Sequence, residues 1–231
     1  MSPRSTIAEV AARLEAIPTD TIYDVLDEFG HGDRCCLSNK ITPLVAGRSL
    51  AGPVYTVRFT RDPRTTAEWN PPQLPTITSR FEAITPGDVI VVDGGGDRSA
   101  GHWGEVLSRI AQQFGARGAV VDGGTRDTRG LAALDDWLLF ARYSSPIEAI
   151  RRLRVHEVDV PLFLHGALGP VPVHPEDWIV ADEDGVVIIP SAELQRVLDR
   201  AEVVEQADLQ AQLAISAGEN IQEVYDRYRR A

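Results

Sequence analysis

The sequence predicts an α/β fold, a layer of parallel strands with helices packed on it, and three observations carry that expectation. Two short apolar runs, residues 88–93 (DVIVVD) and 118–121 (GAVV), each end in an acid and glycines: Asp93 with Gly94-Gly95-Gly96, and Asp122 with Gly123-Gly124. Between them Val106, Leu107, Ile110 and Phe114 recur at helical spacing within residues 103–114. A short helical stretch at 128–134 and strand-like runs at 137–141 and 160–164 complete a βαβαβ alternation.

The remaining elements follow in order. Ile7, Val10, Ala11 and Leu14 give residues 5–16 one apolar helical face, and Ile22, Val25, Leu26 and Phe29 do the same after Thr19. Ser5 and Thr19 are the candidate caps of these N-terminal helices. Across residues 41–61 the pattern shortens around Val54, Tyr55, Val57 and Phe59, which reads as strand, and the polar, proline-rich residues 62–75 read as a surface loop or lid. Residues 171–190 form a hairpin turning at Asp184-Gly185, residues 191–215 a helix, and Gly218 separates a last short helix ending near Tyr228. There is no internal repeat, so residues 1–231 are expected to form one domain: N-terminal helices (1–40), a β/α core (41–190) and C-terminal helices (191–231).

Composition narrows the chemistry. The 231 residues carry 23 basic and 34 acidic side chains, a net charge of −11, which disfavours nucleic acid as a partner. No apolar run has the length of a signal peptide or of a bilayer span of about 20 residues, so a cytoplasmic protein without a membrane partner is expected. Cys35 and Cys36 are adjacent, too strained a pair for a structural disulfide, and lack the second pair of a thiolate metal site. Lys40 is the sole lysine. A Schiff-base enzyme would have to use that residue.

The two strand-ending loops are the candidate chemistry. In neighbouring parallel strands both open on one edge, where ligands of such sheets bind. The helix start at Gly104, Glu105, Val106 and Leu107 offers unpaired amides and the positive end of a helix dipole to a carboxylate or phosphate. Arg126 can grip a carboxylate and the oxygen beside it, and Asp127 can anchor a hard divalent cation. The competing interpretation is a surface Arg–Asp pair that caps the following helix. The stretch GGGDRSAG has neither the GxGxxG spacing nor the GK[ST] ending of a phosphate loop. His102, just before the helix start, is either a proton relay or a capping or packing residue; His31, His156, His165 and His174 lack metal-ligand spacing. Arg98 either adds charge to the pocket or pairs with Asp97, and Arg151-Arg152-Leu153-Arg154 reads as a solvated helix face.

At these residues the sequence resembles the RraA-like proteins. The likeness rests on DGGGD, GEVL and GxVVDGGTRD between Val92 and Leu131, and on an acid, Glu105, followed by twenty residues and then Arg126-Asp127. The ending ADEDGVVIIP is similar to the last hairpin of that family. The family includes 4-hydroxy-4-methyl-2-oxoglutarate aldolases, and its members are often misnamed menaquinone methyltransferases. The resemblance implies a compact β/α sandwich like the swivelling phosphohistidine domain, assembled as a homotrimer or homohexamer. It also implies a pyruvate site in which the backbone from Gly104 to Leu107 receives the carboxylate and Arg126 contacts carboxylate and keto oxygen. Asp127 would anchor Mg2+ or Mn2+, and Glu105 would hold the water around it. An acid from a neighbouring subunit's C-terminal region is implied as well, with Glu205 and Asp208 as candidates.

The lysine count bears on mechanism. Aldol cleavage to pyruvate needs an electron sink, a lysine iminium or a metal Lewis acid, and Lys40 lies outside the strand-end loops in SNKITP. For the aldolase that the resemblance implies, a carbon-carbon lyase acting on 4-hydroxy-4-methyl-2-oxoglutarate or a related 4-hydroxy-2-oxo acid, metal dependence is therefore expected, with oxaloacetate decarboxylation as a second activity. The alternative, also implied by the resemblance, is a non-catalytic regulator that binds and inhibits a ribonuclease.

Overall fold

The computed structural model of the chain describes residues 6–64, 68 and 79–228. Ser5 and most of the loop expected at 62–75 lie outside the described residues. The first helix, α1 (Ile7–Glu15), is capped by Thr6: its hydroxyl accepts the Glu9 amide at 3.2 Å while Glu9 Oε2 accepts the Thr6 amide at 2.7 Å. In α2 (Thr19–Glu28) Pro18 occupies the cap position and Thr19 is already helical. The expected Thr19 cap is replaced by Asp182, which accepts the Thr19 amide at 2.9 Å and its hydroxyl at 2.6 Å from across the chain.

Strands β1 (Thr42–Pro43), β2 (Leu50–Arg61), β3 (Val89–Asp93) and β4 (Gly101–Trp103) precede helix α3 (Glu105–Gln113). Then come β5 (Gly118–Thr125), the short α4 (Thr128–Ala132), β6 (Leu138–Ser144) and β7 (Leu153–Val158). The chain ends with β8 (Leu162–His165), β9 (Pro170–Val173), the hairpin β10 (Trp178–Ala181) and β11 (Val186–Ile189), α5 (Leu194–Ser216) and α6 (Ile221–Tyr228).

The expected parallel layer is present as β2-β3-β5-β6, with Val57, Val92 and Val121 in one register row. Antiparallel strands flank it: β1 on β6, and β7 and β10 on different parts of the long β2. Successive strand residues face opposite sides. Ile90, Val92, Ala119 and Val121 point to a core under α3 and α4 that contains Trp103 and Leu131, whereas Val89, Val91, Val120 and Phe140 meet Leu162, Leu164, Val171 and Val173 of the β8–β9 ribbon. Burial on both faces explains why these strands read as unbroken apolar runs. Truncating Phe140, which is fully buried, to alanine would cost about 3–5 kcal/mol.

A third cluster packs α1, α2 and α5 on the β10–β11 hairpin through Leu14, Ile22, Leu26, Val180, Val187 and Leu198. The hairpin turns at Gly185 as expected, with Ala181 opposite Val186. Arg13 ties α1 to α5 through Glu202, at 2.6 and 2.8 Å.

Three further local expectations are corrected. The helical pattern at 103–114 starts later, because Gly101–Trp103 form β4 beside β5. Residues 160–164 supply β8, which leaves the parallel layer and pairs antiparallel with β9. The Arg151–Arg154 stretch is a turn entering β7, with Leu153 buried and Arg151 at a φ of 71°. Among the described residues no helix is long and apolar enough to cross a membrane.

Candidate active site

The carboxyl ends of β4 and β5 and the start of α3 converge on one spot. Gly104 is the N-cap of α3, and the first helical bond runs from the Ser108 amide to the Gly104 carbonyl at 3.1 Å. The amides of Glu105, Val106 and Leu107 therefore precede the helix ladder. One of them is engaged: the Glu105 amide donates to Asp127 Oδ2 at 3.3 Å. Val106, whose amide comes next, is largely exposed.

Asp127 pairs with Arg126 at a partly exposed position but does not cap the following helix as the competing interpretation expects. It stands at the N-cap position of α4, yet its side chain makes no cap bond there. Its backbone is left-handed, φ 58° and ψ 32°, a conformation that costs a non-glycine residue about 1–2 kcal/mol and turns the carboxylate toward α3. Asp127 Oδ1 lies 3.3 Å from Arg126 Nε. Arg126 is fixed at its backbone by donation to the Trp103 carbonyl at 2.9 Å, and its Nη1 lies 3.5 Å from Glu148 Oε1. The close approach needs glycines: a Cβ on Gly104 would meet Asp127 Oδ2 at 2.7 Å, and one on Gly101 would meet Arg126 Cβ at 2.9 Å.

Glu105 is divided between two roles. Its amide faces Asp127, while its carboxylate folds along α3 to Arg109 at 2.7 Å and over Gly130, where a Cβ would lie 1.9 Å from Oε2. His102 is buried, and both ring nitrogens are used by backbone groups, Nε2 on the Gly94 carbonyl at 3.1 Å and Nδ1 accepting the Gly124 amide at 3.0 Å. Burial lowers its pKa, opposed by the Gly94 bond and by Asp97. A ring held this way has no free nitrogen for a proton relay. Asp97 closes its own turn on the amides of Ser99 and Ala100, with no ion pair to Arg98 among the described residues.

Donor chemistry in the cluster fits a hard cation. Asp127 offers carboxylate oxygens at a partly exposed position and caps no helix of its own. Among the described residues no group of three His, Cys, Asp or Glu side chains gathers. A site of one protein carboxylate suits Mg2+ or Mn2+, which keep several waters and complete their shell with substrate. Lys40, in contrast, is exposed in the loop before β1.

The family described as RraA-like, Aldolase/RraA, matches residues 19–188. The chain belongs to the RraA-like family. A protein of Halalkalibacterium halodurans, provisionally named a 4-hydroxy-4-methyl-2-oxoglutarate aldolase, is 32% identical over 204 residues, covering 88% of this chain and 87% of its own. The crystal structure of Streptomyces coelicolor RraAS2, titled an unusual member of the RNase ES inhibitor RraA family, is 30% identical with a TM-score of 0.74, covering 89% of this chain and 97% of its own. An uncharacterised protein from Pseudomonas syringae is similar at 26% identity and TM-score 0.78, covering 94% and 96%.

Of the RraA-like motif, the fold brings together Gly104, the Glu105 amide, Arg126 and Asp127. The C-terminal acids lie elsewhere in the chain: Glu205 accepts the Thr21 hydroxyl at 3.2 Å, and the helix that carries Glu205 and Asp208 packs on α2 and α6. Sequence reasoning missed Glu148, which reaches Arg126 because the segment after β6 bridges to Gly101. No motif marks it; a contact between positions 22 apart in different loops leaves no local signal.

Proposed function

We propose that the chain is a divalent-metal-dependent pyruvate aldolase that cleaves 4-hydroxy-4-methyl-2-oxoglutarate or a related 4-hydroxy-2-oxo acid. The observation that carries this reading is the Asp127 carboxylate turned away from its own helix and onto the start of α3 beside Arg126. A cationic fork, free helix-start amides and a hard oxygen donor are what a bound 2-oxo carboxylate requires.

In this reading the substrate carboxylate rests on the amides of Val106 and Leu107, and Arg126 spans the carboxylate and the 2-keto oxygen. Asp127, with water held by the Glu105 carboxylate at the rim, would hold the cation. Mg2+ or Mn2+ bound there supplies a Lewis acid for the keto oxygen. Proton loss from the C4 hydroxyl to water ordered by Glu105 lets the C3–C4 bond break. The electron pair passes to C3 as pyruvate enolate, the C4 fragment leaves as a second 2-oxo acid, and Arg126 stabilises the developing charge before C3 is reprotonated. Loss of CO2 from oxaloacetate generates the same enolate, so decarboxylation accompanies the aldolase activity.

Assembly as a homotrimer or homohexamer belongs to the same proposal. Leu209, Leu213, Ile221 and Tyr225 leave apolar surface on α5 and α6, and a neighbouring copy covering it would bring Glu205 or Asp208 toward a second site. The likeness to RraAS2 supports a second reading, a protein that binds and inhibits a ribonuclease. A pyruvate-release assay with 4-hydroxy-4-methyl-2-oxoglutarate and with oxaloacetate, each with Mg2+ and with EDTA, separates the two. Metal-dependent release supports the aldolase, and no release from either substrate supports the regulator.

A further inference from the structure

His102 joins three pieces of chain that carry the site. It sits on β4 two residues before the Gly104 cap; its Nε2 holds the Gly94 carbonyl at the end of β3, and its Nδ1 accepts from Gly124, two residues before Arg126. An amide donor on one side and a carbonyl acceptor on the other permit a single state of the ring, neutral with its proton on Nε2. The ring is 2% exposed and Phe59 packs edge-on against it, centroids 5.7 Å apart. The loops close on it without slack: a Cβ on Gly123 would lie 2.7 Å from Nδ1 and one on Gly94 3.0 Å from Nε2.

We propose that His102 is a positioning residue, whose Nδ1 bond to Gly124 fixes where the Arg126–Asp127 turn meets the start of α3. The inference rests on the pyruvate-site reading for its consequence and on the buried geometry for its cause. The Gly124 bond acts at the site and the Gly94 bond acts on the fold. Gly124 is in the strand that ends at Thr125, so a shift there is carried directly into Arg126, whereas Gly94 belongs to the neighbouring loop.

Two amide variants separate the bonds. His102→Asn can place an oxygen near the Nδ1 position and keep the Gly124 bond, whereas His102→Gln reaches the Nε2 position and keeps the Gly94 bond; His102→Leu keeps neither. Oxalate binding with Mg2+, measured by calorimetry on the full chain, is expected within about threefold of wild type for His102→Asn and about tenfold or more weaker for His102→Gln and His102→Leu. The backbone amide resonances of Arg126 and Asp127 should shift in the latter two and stay near wild type in His102→Asn. Equal amide shifts in the Asn and Gln variants, or oxalate affinity that tracks melting temperature whichever bond is kept, would overturn the proposal. If wild type binds no oxalate, the pyruvate-site reading falls, and the amide shifts alone decide whether His102 positions the turn.

Discussion

Replacing Gly104 by alanine tests the contact on which the site turns. Its backbone is extended, φ −147° and ψ −177°, so alanine adopts it without strain. The added Cβ would stand 2.7 Å from Asp127 Oδ2 and 3.1 Å from Arg126 Cγ. Ordinary contact needs about 3.5 Å, so the carboxylate must retreat by roughly 0.8 Å, off the Glu105 amide. A displacement near 1 Å at a reacting centre costs on the order of 10²-fold in rate. The cost in stability is about 1 kcal/mol, or roughly 2–4 °C in Tm for a chain of this size, because a partly exposed side chain can give way. The assay is pyruvate release from 4-hydroxy-4-methyl-2-oxoglutarate with Mg2+, beside thermal melting. Gly169→Ala, where an added Cβ meets nothing within 4 Å, serves as the control. A Gly104→Ala protein with kcat/KM within about twofold of wild type would refute the reasoning, since a displacement of this size could not then matter.

Other consequences follow from buried and paired charges. Burial, aided by Asp159 and Glu176 and opposed by the Thr85 amide, pushes the Asp88 carboxyl up to about 6. Its folded value lies above the unfolded one, so its stabilising contribution is complete below about pH 4 and lost as pH rises through about 6. Asp88→Asn should therefore gain about 1–2 kcal/mol over wild type in urea melts at pH 7.5 and nothing at pH 4; the same difference at both pH values would contradict it. Asp122 is the opposite case: burial raises its pKa, but hydrogen bonds from Arg142 and His165 outweigh this and hold it below the usual carboxylate range. That contribution is present above about pH 4 and lost as pH falls, so Asp122→Asn should cost about 3 kcal/mol near neutrality, read by urea melts, and progressively less in acid. Glu148→Gln removes a half-exposed partner of Arg126, 3.5 Å away. Stability should change by less than about 0.5 kcal/mol, while oxalate binds about threefold tighter; weaker binding would show that Glu148 helps hold the ligand.

The parts of the fold that follow from local pattern were legible in the sequence, and those set by distant pairing were not. The runs 88–93 and 118–121 became β3 and β5 because a strand buried on both faces has to be apolar throughout. The same local character in 160–164 could not say which sheet β8 would join, since its partner β9 is chosen by the core it covers. Strand β4 is three residues long and exists because β5 runs beside it, so its Trp103 was absorbed into the following helical pattern. In the Arg151–Arg154 turn the buried Leu153, alternating with polar neighbours, was the available strand signal, and the arginine count masked it. The spacing from Glu105 to Arg126-Asp127 marked residues that the fold brings together, while the turn of Asp127 onto α3 depends on a left-handed backbone that spacing does not encode. His102 was visible as a residue; its function depends on Gly94 and Gly124, eight and 22 positions away.

The most direct test of the central claim is pyruvate release by wild type and Arg126→Ala, side by side, from 4-hydroxy-4-methyl-2-oxoglutarate with Mg2+ and with EDTA. The account expects wild type to release pyruvate with Mg2+, EDTA to abolish it, and Arg126→Ala to lose about 10³-fold in kcat/KM with little change in melting temperature. Full activity in Arg126→Ala, or release that EDTA leaves untouched, would contradict it.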